Sequence, residues 1–524
     1  IIPKTSDNKG LNFLDISAQE YLSRLEKELK GKNLSMDKPL AFLLNPPYKN
    51  TDENVKTRAD KDAEYEIDPA ILELTGSDAG KERYLAFLGQ ILLLAKAQNE
   101  KNPEHFPLVF IFTPTSWLIP RPTYVGFREK WDQYFTYETG FIVTSNEFFK
   151  LDGKWPLAFT VWKYDPSEKT NKVSTLDLTS LKKVDLNFNW NEIQEEIDKN
   201  CEEIIRRGKI VTLRIKSSIQ DWLNQKSFDF KRDPTKVEKE SSQIYGGLPI
   251  NDPRRMNKKT YGIEDSAFIG FMDNCTPVRV KQDPSMRLST LPDRIWFYLD
   301  NRVQQLNLSK VFNGPADNRS FAAFDLDSAQ KACTWFGITK AISGNYPVWM
   351  NQVNVWTPEI KSELADYWYS LCFAFVLVEN RCVVTKFEAD NPVPGAPEVF
   401  VDNPLSPNNP DSFWNTVLDR HIVSEPPAAI KLVDKIKELY RVWNYSYCKG
   451  GILEHVELHD EPYFKYFSYP DFLTKNSGLI QIKKYAMDNN LTDLGELFAE
   501  ISTLTKLVKA ELYRLLVEEF DYFG

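Results

Sequence analysis

Scarcity narrows the reading of these 524 residues before any motif is considered. Apolar residues never run to the roughly 18 positions that a membrane-spanning helix needs. The apolar stretches at residues 91–95 and 371–378 suit a buried strand or helix instead, and the opening residues do not read as a secretory leader. The six cysteines are scattered without a single Cys-x-x-Cys pair, which excludes a disulfide framework and fits free thiols in a reducing cytoplasm. The four histidines, His105, His421, His455 and His459, are too dispersed to argue a Ser/His/Asp triad. Cys448, His455 and His459 form a C-x6-H-x3-H pattern without an obvious fourth ligand, so no metal site is assigned. Glycine is sparse at 22, and no Gly-x-Gly follows a strand. Positive charge is also in deficit: Lys+Arg 65 against Asp+Glu 74 gives −9, so any nucleic-acid contact must come from a local basic patch.

What remains is ordinary globular composition, 42% hydrophobic and 27% charged, which excludes disordered, collagen-like and fibrous classes. At roughly 100–200 residues per domain the length implies about three domains. Aromatics reach 13%, which offers many rings for core filling and some for stacking on bases or sugars.

Residues 1–165 alternate between helical and strand patterns. Helices are expected at 18–29, 81–97 and 127–134, and strands at 40–44, 108–112, 140–144 and 157–162. Five-residue apolar runs separated by helices indicate an α/β sheet covered on both faces. Residues 166–260 read as a linker and a helical, basic connector. Within it, residues 226–259 carry Lys231, Arg232, Arg254, Arg255, Lys258 and Lys259 among prolines and glycines. Such a run is commonly a solvated loop, and these six are also candidate contacts to a nucleic-acid backbone. Residues 261–425 show short strands, turn residues and aromatics, a mixed α+β pattern. Residues 426–524 are helical.

The residues richest in chemistry are Asn45-Pro46-Pro47-Tyr48, just past the apolar strand 40–44. The C-terminal edge of a parallel strand is where α/β sheets place ligands. An exocyclic amino group is a weak nucleophile because its lone pair is delocalised into the ring. The Asn45 amide oxygen and the Pro46 carbonyl can each accept one of its N–H bonds and draw the nitrogen toward a tetrahedral form. Two prolines fix φ and hold both acceptors, and Tyr48 can stack on an extruded base.

This Asn-Pro-Pro-Tyr segment resembles motif IV of the S-adenosylmethionine-dependent amino-methyltransferases. The helix at 81–97, the strand leading into Pro114-Thr115-Ser116-Trp117, and Phe127-Arg128 with Trp131 are similar to later motifs of adenine-specific DNA methyltransferases from restriction systems. Residues 148–162 resemble the segment in which an aromatic residue helps hold the flipped adenine, with Phe159 or Trp162 as the candidate. The resemblance covers about residues 35–165. It implies a Rossmann-like methyltransferase sheet, then a recognition domain (261–425) and a helical C-terminal region (426–524), with S-adenosylmethionine as cofactor and double-stranded DNA as partner. Asn45, Pro46 and Tyr48 would be catalytic and Pro47 substrate-binding, and a restriction or specificity subunit would be a further partner. The family's glycine-rich cofactor loop is missing. With the opening Ile1-Ile2-Pro3, this implies that the cofactor half lies outside the chain, which alone would be inactive. Alternative readings are a non-catalytic DNA-recognition module, or methylation of RNA or of a protein glutamine amide.

Three other patterns are set aside. Gly76 to Lys81 is one residue short of a phosphate loop and reads as a helix start capped by Ser77 or Asp78. Asp402-Asn403-Pro404 reads as a turn. Glu359-Ile360-Lys361 has a nuclease strand's letters, but follows Pro358 into a helical pattern.

Overall fold

A computed structural model describes residues 12–46, 67–77, 79–119, 122–148, 153–167, 169, 172–182, 194–223, 266–271, 277–281, 294–313, 320–386, 400–401, 403–448, 452–453 and 473–523. The chain divides into two compact units, residues 1–218 with 346–354 and 523–524, and residues 219–345 with 355–522.

The first unit is built on a mixed sheet of six strands: β1 (Ala41–Leu44), β2 (Leu108–Pro114), β3 (Phe135–Thr144), β4 (Pro156–Tyr164), β5 (Lys172–Asp177) and β6 (Lys209–Arg214). The spatial order is β1-β2-β4-β3-β5-β6. β1 and β2 are parallel, β4 runs antiparallel between β2 and β3, β3 and β5 are parallel, and β6 closes the edge antiparallel. The sheet therefore continues past residue 165, and the stretch expected as a linker supplies β5.

Helix α1 (Ala18–Lys30) starts where the Ser17 hydroxyl accepts the Glu20 N–H, and its Ala18 and Leu22 pack on Leu94. Short α2 (Pro69–Thr75) precedes α3 (Arg83–Lys101), which is apolar nearly all round and correspondingly buried. Gly76 ends α2 with φ of 86°, a conformation glycine tolerates, and its N–H returns to the Leu72 carbonyl. The expected hydroxyl or carboxylate cap does not start α3: its N-cap is Glu82, without a side-chain bond, because a turn at Ala79–Lys81 intervenes. Asp78 lies outside the described residues. Helix α4 (Pro122–Trp131) leads into β3, one turn α5 (Ser145–Phe148) follows β3, and α6 (Gln194–Arg207) precedes β6.

The second unit begins at α7 (Ile219–Leu223) and includes a hairpin of β7 (Ser266–Phe271) and β8 (Pro277–Lys281). β9 (Ile295–Tyr298), β10 (Lys310–Phe312) and β11 (Ser320–Ala323) form an antiparallel sheet with β9 central. Helices α8 (Leu326–Ile342), α9 (Ala365–Val378), α10 (Pro427–Val442), α11 (Leu479–Asp488) and α12 (Thr492–Arg514) pack together, with α12 touching each of the others. The helical C-terminal region is therefore present. The turn-rich stretch before it holds more helix than its pattern suggests, because α8 and α9 are buried over most of their surface. A helix without a polar side carries no 3.6-residue alternation to read. Asn403 does form a turn, its side chain accepting the Leu405 N–H at 2.9 Å.

Candidate active site

The site is built where the parallel strands β1 and β2 end. β1 is pinned by a glutamine of α3: buried Gln98 accepts the Leu40 N–H at 2.9 Å and donates to the Lys38 carbonyl at 3.1 Å. The Leu108 N–H bonds the Leu40 carbonyl at 2.9 Å, and the register then pairs Leu44 with Ile111. Asn45 follows directly, exposed at the strand's C-terminal end, and Pro46 is buried behind it. Pro47 and Tyr48 lie outside the described residues, as do Lys231, Arg232, Arg254, Arg255, Lys258, Lys259, His455 and His459.

Beyond Leu44 the next position on β2 is Phe112, which stands opposite Phe159 of β4, itself opposite Phe141 of β3. The three half-buried rings form a row, with centroids 4.9 Å apart for Phe112 and Phe159 and 5.3 Å for Phe159 and Phe141. At the usual strand spacing, Phe159 lies two strands, or about 10 Å, from Asn45. This row brings the Asn45 acceptor and one of the two candidate aromatic residues to the same level of the sheet.

Trp162 does not join them. It is 0% exposed and its Nε1 donates to Thr160 Oγ1 at 2.8 Å. Trp117, Trp131 and Tyr137 crowd its ring at 5.6, 5.8 and 5.3 Å, and the Arg128 guanidinium sits 5.6 Å from its centroid. That ring has no face left for a base, because β4 turns Ala158, Thr160 and Trp162 inward and Phe159, Val161 and Lys163 toward the other side. Of the two candidates, Phe159 is the accessible one.

The segment after β2 is braced by its own hydroxyls. Trp117 Nε1 donates to Thr113 Oγ1 at 2.7 Å, Ser116 Oγ meets the Tyr84 hydroxyl at 3.1 Å, and Thr115 Oγ1 donates to the Trp349 carbonyl at 3.0 Å. Arg128 of α4 is wholly buried beneath it. Its Nε donates to both Asp132 carboxylate oxygens at 2.8 and 2.9 Å, one terminal nitrogen donates to the Leu118 carbonyl at 2.7 Å, and the guanidinium lies 5.6 Å from the Trp117 ring. Burial pushes the Asp132 carboxyl up, against the pull of Arg128. This pair is committed to bracing the loop. The sequence marks Arg128 only as part of a motif; its pairing with Asp132 and its burial come from the fold.

The groups that the described strand ends present are neutral acceptors and rings. Among the described residues no three or more His, Cys, Asp or Glu side chains gather into a metal site, and no helix is long and apolar enough to cross a membrane. β1, β2 and β3 are followed by Asn45-Pro46, Thr115-Ser116 and Ser145-Asn146, none with a glycine. These turns do not form the glycine-rich cradle that lets backbone approach a nucleotide cofactor.

No protein-family model matches the chain, and no curated protein sequence matches it. Among solved structures it is weakly similar to a nuclease-deletion mutant of the Type ISP restriction-modification enzyme LlaGI in complex with a DNA substrate mimic. That likeness has a TM-score of 0.31 and 10% identity, covering 69% of this chain and 36% of that one. The ATP-dependent Type ISP restriction-modification enzyme LlaBIII bound to DNA gives 0.30 and 11%, covering 99% and 39%. A DrdV–DNA complex gives 0.30 and 10%, covering 72% and 48%. The chain thus spans less than half the length of these structures, and likeness at this level establishes neither a shared fold nor an activity.

Proposed function

We propose that this chain carries the target-amine site of a site-specific DNA adenine-N6 methyltransferase of restriction-modification type. One observation carries the reading: Asn45 and Pro46 of the Asn-Pro-Pro-Tyr segment stand at the C-terminal end of a strand whose neighbour is parallel. In the reaction, Asn45 Oδ1 and the Pro46 carbonyl accept the two N–H bonds of the adenine amine and orient its lone pair. Phe159, on the same level of the sheet, supplies a ring for the extruded base. S-adenosylmethionine is the methyl donor in this proposal, and positioning provides the rate without a covalent intermediate. Double-stranded DNA is the partner, and a restriction or specificity subunit is a further expected one.

The test uses the longest protein its gene encodes, incubated with duplex DNA and S-adenosylmethionine, and quantifies N6-methyladenine by mass spectrometry. Methylation that disappears in Asn45→Ala while DNA binding stays within twofold is the expected result. Absence of methyladenine, or an unchanged rate in Asn45→Ala, rejects the proposal. DNA binding without any methylation would favour the non-catalytic recognition module.

A further inference from the structure

Where α8, α9, α11 and α12 meet in the second unit, a hollow of about 380 Å³ is rimmed by Lys340, Lys483, Lys506 and Lys509. Among the described residues one carboxylate, Glu379, lines it. None of the four lysines makes an ion pair with a described residue. Other lysines of the helical region do: Lys435 of α10 reaches Glu438 and Glu500 at 2.8 and 2.9 Å, Lys331 of α8 reaches Asp327 at 2.8 Å, and Lys484 of α11 reaches Asp488 at 2.7 Å. The contrast at Lys483 and Lys484 is direct, since adjacent residues of α11 divide between the hollow and a neutralised surface pair. In a chain of net charge −9, a rim of four cations against one carboxylate is a local reversal of sign.

The floor decides what such a rim can hold. Phe375, Leu479 and Ile501 are buried and Ile480 and Phe498 half-buried, so no large exposed apolar side chain awaits the greasy face of a peptide helix. Low-dielectric walls under a one-signed rim strengthen and focus its field instead. Lys483, Lys506 and Lys509 are exposed, open to an extended surface and not sealed around a small ion. Lys506 and Lys509 stand one helical turn apart, about 5–6 Å at their Cβ atoms, near enough to take neighbouring phosphates of one strand. Lys340, half-buried in the last turn of α8, donates to the Asn307 carbonyl at 3.3 Å. Burial pushes its ammonium down, Glu379 pulls it up, and Lys310, Arg381 and Lys509 push it down further. Assembling these charges is unfavourable until an anion arrives.

We propose that this hollow binds the phosphates of a nucleic-acid backbone, giving the helical region its own grip on duplex DNA; this rests on the DNA reading above. The contact is to phosphate and is therefore independent of sequence.

The experiment titrates a labelled duplex with the full chain by fluorescence anisotropy at several salt concentrations. Lys483→Gln/Lys506→Gln/Lys509→Gln is expected to weaken binding tenfold or more and to flatten the log–log salt slope by about one per lysine removed. Glu379→Gln is expected to tighten binding two- to fivefold, an effect opposite in sign that misfolding would not produce. Lys484→Gln, beside the hollow, should change affinity less than twofold. A triple variant that binds with unchanged affinity and slope overturns the proposal and leaves the DNA reading standing. Failure of the wild-type chain to bind duplex overturns both. A glutamate-rich peptide whose binding is lost in the triple variant while duplex binding is unaffected would overturn it in favour of an acidic protein partner.

Discussion

Arg128 and Asp132 show how far a single residue's role departs from its letters. Four residues apart on a helix, they would contribute a few tenths of a kcal/mol on a surface. Here the guanidinium is 0% exposed between two tryptophans, so removing it strands a carboxylate in the core. Arg128→Ala is expected to destabilise the first unit by about 3–5 kcal/mol, read as a shift in urea unfolding midpoint; a shift under about 1 kcal/mol would contradict the buried pair. The two aromatic candidates of β4 separate in the same way. Trp162→Ala should cost about 3–5 kcal/mol of stability. Phe159→Ala should leave the fold largely intact and, under the methylation proposal, raise the KM for duplex DNA; an unchanged KM would remove Phe159 from the proposed site. The sequence marks β4 as a strand and leaves Phe159 and Trp162 as alternatives; three positions apart on a strand, they face opposite ways. Which side is covered depends on Trp117, Trp131 and Arg128 arriving from distant positions, and no local pattern carries that.

Elements were legible in proportion to how one-sided they are. Strands β1, β2 and β4 and helix α1 fall within a few residues of where the sequence pattern puts them, because each has one wet and one dry side or a short apolar run with clear ends. Helices α8 and α9, mostly buried, carry too little one-sidedness to be typed: the apolar run at 371–378 reads equally as strand or helix, and α8 gives no periodic signal. The hollow's lysines were missed for a related reason: they come from α8, α11 and α12, far apart in sequence, whereas a run such as 226–259 draws notice by proximity alone. The junction before α11 rests on close backbone contact. A Cβ at Gly478 would stand 1.9 Å from the Cys382 carbonyl oxygen. Next to it Gln481 accepts the Val384 N–H and donates to the Val384 carbonyl, both at 2.9 Å, and also accepts the Gly478 N–H at 2.8 Å. Gly478→Ala is expected to cost about 1–3 kcal/mol by overpacking, measured by thermal unfolding; a neutral outcome would mean that this approach is looser than described.

At the scale of the whole molecule, acid should loosen the second unit first near residue 514. Glu511 is held below the usual carboxylate range by its bond to Arg514, and Glu519 by its bond to Lys361. Carboxyls depressed in the folded state stabilise it wherever they are ionised. Their contribution is complete above the unfolded value of 4.5 and is lost as pH falls through the lower folded values. The unfolding midpoint, followed from pH 6 to pH 3, should drop across that window, and Lys361→Gln with Arg514→Gln should make the profile flatter. A wild-type profile as flat as the double variant's would refute the assignment.

The course of the chain between its two units has a consequence for how such a protein can change over generations. The boundary is crossed after residues 218, 345, 354 and 522, and the brief return at 346–354 brings the Trp349 carbonyl that Thr115 needs. Neither unit is therefore a contiguous cassette. A recombination event that replaces the second unit from residue 219 onward also deletes a buried tryptophan from the first, so new combinations must inherit that nine-residue stretch with its own sheet or evolve a substitute.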